Sequence, residues 1–129
     1  MAAEPSSAGP RADSPDGFPD GLPDGLIAIV KSDCPACSLA QPVLVDLAER
    51  AGLTVYTQDD PTFPADADWV VDDTDLTTSW HLDLDAVPTL LRIEGGVETA
   101  RTIGWDRDRW EQLTGVTGLG PDLPPFKPG

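Results

Sequence analysis

An apolar run, Leu26-Ile27-Ala28-Ile29-Val30, leads within a few residues into the tetrapeptide Cys34-Pro35-Ala36-Cys37. The run follows Gly25, and its length and branched residues suit a central strand covered on both faces. Ser32-Asp33-Cys34-Pro35 reads as a turn into a helix. Pro35 falls at the first helical position, where its missing N–H costs nothing. Two cysteines three apart on a helix share one face, so their sulfurs can approach bonding distance across one turn. Cys34 would sit at the helix start, where unpaired backbone N–H groups and the helix dipole stabilise a thiolate. That lowers its pKa and makes it the attacking sulfur. Cys37, one turn deeper, would then resolve the mixed disulfide.

Beyond the cysteines, Leu39, Val43, Leu44, Leu47 and Ala48 recur at helical spacing, giving an amphipathic helix to about Ala51, closed by Gly52. Pro42 lies inside that pattern and should kink it. Leu53 to Gln58 alternates as a second strand. Residues 59–73 are rich in Asp and Pro; Trp69-Val70-Val71 fits a short strand or a packed loop, and Asp73 or Thr74 could cap a short helix through about Leu82. Pro88 to Ile93 and Val97 to Ile103 flank Glu94-Gly95-Gly96, a tight hairpin signal. Asp106 can cap a last helix that carries Trp110 and Leu113 and stops at Gly115. The order strand–helix–strand–helix–hairpin–helix implies an α/β domain, a mixed sheet with helices on both faces.

These residues together resemble the thioredoxin superfamily. Pro42 stands five residues after the second cysteine, where that family carries its helix-kinking proline. Val87-Pro88-Thr89 looks like the family's cis-proline element, followed by a strand, a Gly-containing hairpin, another strand and a final helix. Gly104 falls where many members carry a glycine at the end of the last strand. The likeness covers about residues 26–116. It implies a thioredoxin-like fold with Cys34 as nucleophile, Cys37 as resolving thiol and Pro88 as a cis-proline facing the disulfide. It also implies that Pro35, Ala36, Val87 and Pro88 meet the substrate, with Trp105 in the loop bordering the groove. Three departures stand out. Ala28 occupies the position where many thioredoxins place a buried acid. Asp33 replaces the usual aromatic and should oppose thiolate formation at Cys34 by like-charge repulsion. Pro35-Ala36 replaces the Gly-Pro of housekeeping thioredoxins and is closer to glutaredoxins and some oxidases. The glutathione-binding elements of glutaredoxins are missing.

The remaining composition excludes several functions. A formal net charge of −15, from 23 acids against 8 bases, argues against nucleic acid and against anionic membrane surfaces. Asp predominates among the acids and Arg among the bases, as in a bacterial protein from a GC-rich genome. No apolar run approaches the ~18 residues of a membrane helix, and no secretory signal opens the chain. A reducing, cytoplasmic setting follows, where two cysteines serve redox or metal chemistry better than a structural staple. Zinc or an iron–sulfur cluster needs about four ligands, against two cysteines and a distant His81, so no metal is expected. His81 tempts as a base for Cys34 but reads more simply as a surface histidine. Asp59-Asp60 and Asp72-Asp73 read as solvated loop acids.

The ends differ from the middle. Residues 1–24 repeat Pro-Asp-Gly with Phe18 and Leu22 between, a turn-rich leader that cannot bury enough apolar surface to order itself. Residues 118–129 are again rich in Pro and Gly and read as a tail or a linker to a fused downstream domain, leaving 25–117 as the folded domain. The expected activity is thiol–disulfide exchange, most simply reduction of protein disulfides. The Cys34–Cys37 disulfide is its only redox group and no further cofactor is expected. Its partners would be a protein or small-molecule disulfide and a thiol or reductase that supplies electrons. The alternative is an accessory module of the same fold serving one dedicated partner.

Overall fold

The computed structural model describes residues 23–129, so Phe18, Leu22 and most of the leader lie outside the described residues. Strand β1 (Gly25–Val30) forms from the apolar run, and its residues are buried from Leu26 onward. It pairs in parallel with β2 (Thr54–Thr57), which pairs in parallel with β3 (Val70–Asp72). On its other side β1 runs antiparallel to β4 (Thr89–Glu94), which continues through the Glu94–Gly96 hairpin into antiparallel β5 (Val97–Ile103). The sheet order is β3-β2-β1-β4-β5. The mixed five-stranded sheet with its flanking helices is a thioredoxin-like α/β fold.

Because successive strand residues face opposite ways, β1 feeds two cores. Leu26, Ala28 and Val30 join Cys37, Val43, Leu44, Leu47, Trp105 and Trp110 on one face. Ile27 and Ile29 join Tyr56, Leu82, Leu91 and Ile93 on the other. The helix after the cysteines is two helices, α1 (Pro35–Leu39) and α2 (Gln41–Ala51), separated at Ala40. Pro42 explains the break: it has no N–H to give the preceding turn, and its ring crowds the carbonyl four residues back. The hydrogen bonds resume at once, with the Leu44 N–H donating to Ala40 O at 2.9 Å.

Helix α3 (Thr77–Leu82) is shorter than its sequence pattern, because residues 73–76 form a turn with Leu76 at φ 62°. Asp73 still caps it, from farther upstream. Its carboxylate accepts the Thr78 and Ser79 N–H groups at 2.9 Å each and the Ser79 hydroxyl at 2.7 Å. Asp73 is 1% exposed and so is no solvated loop acid, in contrast to Asp72 beside it, which is exposed. Helix α4 (Arg107–Thr114) is capped by Asp106, as its sequence indicates, and stops at Gly115.

The segment 118–129 is not a free tail. Leu119 is fully buried in the core with Trp105 and Trp110. The Arg107 guanidinium donates to the carbonyls of Leu119, Gly120 and Leu123 at 2.6–2.9 Å. The Trp105 indole N–H donates to Pro124 O at 2.7 Å. Strand β7 (Phe126–Lys127) then pairs antiparallel with β6 (Trp105–Asp106). Composition misleads here because the Pro and Gly residues shape a compact return path whose order comes from partners earlier in the chain. The other boundary also moves slightly: Asp24, assigned to the leader, accepts the Gly96 N–H at 3.2 Å.

Candidate active site

Cys34 is the residue that caps α1, with extended backbone angles of φ −89° and ψ 122°. Its sulfur accepts the Cys37 N–H at 3.3 Å, so a negative charge on it has a donor in place. Its thiol donates to Val87 O, also at 3.3 Å, which ties the helix start to the loop before β4. Both cysteines are free thiols; Cys34 is half-buried and Cys37 is buried. The Lys31 N–H lies 3.5 Å from the Cys37 sulfur.

Burial pushes the Cys37 thiol well above its ordinary value, and the contact with Cys34 and the field of Asp59 push the same way. The Lys31 N–H opposes them without prevailing. Ala28, fully buried in the core cluster that contains Cys37, brings no carboxylate to this side. Asp33 is exposed, and its carboxylate lies 3.6 Å from the Lys31 ammonium, an exposed and hence weak pair.

Asp59 is the residue that sequence reasoning missed. From the turn after β2 it accepts the Ser32 N–H at 2.8 Å, the Ser32 hydroxyl at 2.7 Å and the Asp33 N–H at 3.4 Å. It thereby fixes the turn that delivers Cys34 to the helix start. Partial burial raises its pKa, but the hydrogen bonds from Ser32 and Asp33 outweigh this and hold the carboxyl below its ordinary range. No local pattern announces the contact, since its partners stand 26 and 27 residues earlier.

The Val87–Pro88 peptide is cis. Val87 packs against both cores, while Thr89 Oγ1 donates to Ala86 O at 2.6 Å and the Gly104 N–H donates to Pro88 O at 2.8 Å. The loop is therefore held on both sides. Among the other sequence-predicted residues, Pro35 is exposed beside Cys34, and Ala36 is 1% exposed and turned into the core. Trp105 requires a correction. It is fully buried, edge-on to Trp110 with ring centroids 5.0 Å apart, and offers no surface to a substrate. Its place in the sequence suggested a rim, but burying an indole whose N–H has a carbonyl partner is the more favourable arrangement. His81 is exposed, with its Nδ1 2.9 Å from Thr77 O one turn back on its own helix rather than at Cys34. A cleft of about 400 Å³ between β5 and α4 is lined by Ala100, Thr102, Arg109 and Gln112 and includes neither cysteine. Among the described residues no three His, Cys, Asp or Glu side chains cluster as metal ligands would, and no helix is long and apolar enough to cross a membrane.

No known protein family matches the chain, and no curated protein matches it in sequence. Among solved structures it is similar to StoA from Bacillus subtilis, with 16% identity, a TM-score of 0.46, and coverage of 64% of this chain and 76% of that one.

Proposed function

We propose that this protein is a thiol–disulfide oxidoreductase in which Cys34 attacks and Cys37 resolves. The observation that carries the reading is the position of the Cys34 sulfur, which accepts the Cys37 N–H at the start of α1 with the second sulfur one turn deeper. In the forward direction the Cys34 thiolate attacks one sulfur of a substrate disulfide, forms a mixed disulfide and releases the other sulfur as a thiolate. Cys37 then loses its proton and attacks the Cys34 sulfur. The Cys34–Cys37 disulfide forms, and the substrate leaves fully reduced with two electrons and two protons gained. A dithiol reductase or a low-molecular-weight thiol returns the pair to the reduced state, as a reducing compartment would provide.

The test uses two variants and a small aromatic disulfide whose released thiol absorbs light. Cys34→Ser should abolish turnover. Cys37→Ser should give one equivalent of thiol and a mixed disulfide stable enough to see by intact mass. If Cys34→Ser instead traps the adduct and Cys37→Ser does not, the two roles are reversed. If neither variant differs from the parent chain, the cysteines carry no exchange chemistry.

A further inference from the structure

We infer that residues 126–129 form a wall beside the Cys34 sulfur that selects against disulfides embedded in an extended polypeptide and favours small or narrowly presented ones. This rests on the exchange reading above and deepens it by naming the substrate class.

Val87 O accepts the Cys34 thiol at 3.3 Å, so it marks one flank of the reactive sulfur. Gly129 packs against the same oxygen so closely that a Cβ added to it would stand 2.6 Å from Val87 O and 3.3 Å from the Ala86 side chain. The close approach continues along the segment. A Cβ on Gly104, which adopts φ +77°, would meet Gly129 N at 2.9 Å and Lys127 O at 3.0 Å. Glycine is therefore needed at both positions for the segment to lie where it does. Three contacts hold it there: the β6–β7 pairing, the Arg107 N–H donating to Pro125 O at 3.0 Å, and the Trp105 indole on Pro124 O.

Attack on a disulfide requires the incoming sulfur to approach along the S–S bond, with the rest of the substrate spread to either side. Along Ala86–Val87 that space is filled by the chain's own backbone. A polypeptide that lay extended beside this loop would have to displace Gly129 first. A small disulfide can reach the half-buried Cys34 from the open side, where Pro35 is exposed. The reaction is unchanged: substrate S–S is replaced by Cys34–S–S–R with release of RS⁻, then by Cys34–S–S–Cys37 with release of the second RS⁻.

The experiment compares the initial rates of the full chain towards insulin and towards a small aromatic disulfide, with dithiothreitol as electron donor. The same pair of rates is measured for a chain stopped after Pro125, which keeps Leu119 and the contacts to Pro124. It is measured also for full-length Gly129→Leu, whose side chain cannot fit against Val87 O. The expected result is that the ratio of the insulin rate to the small-disulfide rate rises about tenfold in both, a relief of about 1.4 kcal/mol in the barrier for the polypeptide disulfide. A ratio that stays the same or falls overturns the wall while leaving the exchange reading intact. If neither disulfide reacts with the full chain or the variants, both readings fall together.

Discussion

At the scale of single residues, Cys37 and Asp59 define what the site asks of pH. The Cys37 thiol is held above its ordinary value by burial first, then by Cys34 and Asp59, so only a small fraction is ionised near neutrality. Resolution of the mixed disulfide should therefore speed up about tenfold per pH unit through the mildly alkaline range. Asp59→Asn removes a negative charge whose field raises that thiol, and the pH–rate profile for release of the second thiol should move to lower pH. A purely structural loss would lower the rate at every pH instead of raising it. The same shift has a stability consequence. The folded chain keeps the Cys37 proton beyond the pH at which the unfolded thiol, near pH 8.5, gives it up. This contribution is fully present below about pH 8.5 and is lost as pH rises towards the folded value. Urea midpoints of the reduced protein should fall between about pH 8 and pH 10, and Cys37→Ala should flatten that fall. Tyr56, raised by burial and by Asp73, adds to the loss at still higher pH.

At the scale of elements, Asp73 shows how a short helix is held when its own first turn has no cap. Asp73→Ala would strand the Thr78 and Ser79 N–H groups and the Ser79 hydroxyl in a buried place, a cost of about 1–3 kcal/mol. Asp72→Ala, one residue away but exposed, should stay within about 0.5 kcal/mol. Chemical denaturation of the two variants side by side checks the contrast. The elements were largely legible in the sequence where periodicity and end signals agree. The strand at Leu26–Val30, the helix start at Pro35, the hairpin at Gly95-Gly96 and the Asp106 cap all lie where their patterns put them. Pro42 announced a disturbance, though not that it would divide the helix at Ala40. Asp73 announced a cap, though not its reach over a turn with Leu76 left-handed. In the site, Cys34 and Cys37 could be named because their spacing is a local signal, and the Val87–Pro88 loop because its place along the chain resembles a known pattern. Asp59 could not, since its role exists only once β2 lies beside β1.

At the scale of the whole molecule, the described chain is one folding unit that runs through residues composition alone assigns to a linker. Leu119 stands between Val116 and Leu123 among glycines and prolines that break any regular element, so composition reads the stretch as a linker. In three dimensions Leu119 is fully buried with two tryptophans. Leu119→Ala should cost about 2–5 kcal/mol, as for any large core side chain truncated in place, and a thermal or urea melt would read it directly. A value within about 0.5 kcal/mol, the range of ordinary surface changes, would mean that the segment is not part of the core. The position of Trp105 belongs to the same lesson. A tryptophan just after the last long strand looks like a wall of the groove until the returning chain covers it and supplies a carbonyl for its indole.

The Arg107 guanidinium, with its three carbonyl partners spread over Leu119 to Leu123, has a practical meaning for anyone dissecting this protein. A fragment cut at Thr117, where the composition changes, would empty a core position, strip an arginine of its acceptors and leave an indole without its partner. Such a piece would behave as a damaged protein rather than an isolated domain. Fusions, swaps and truncations should therefore keep the chain at least through Pro125.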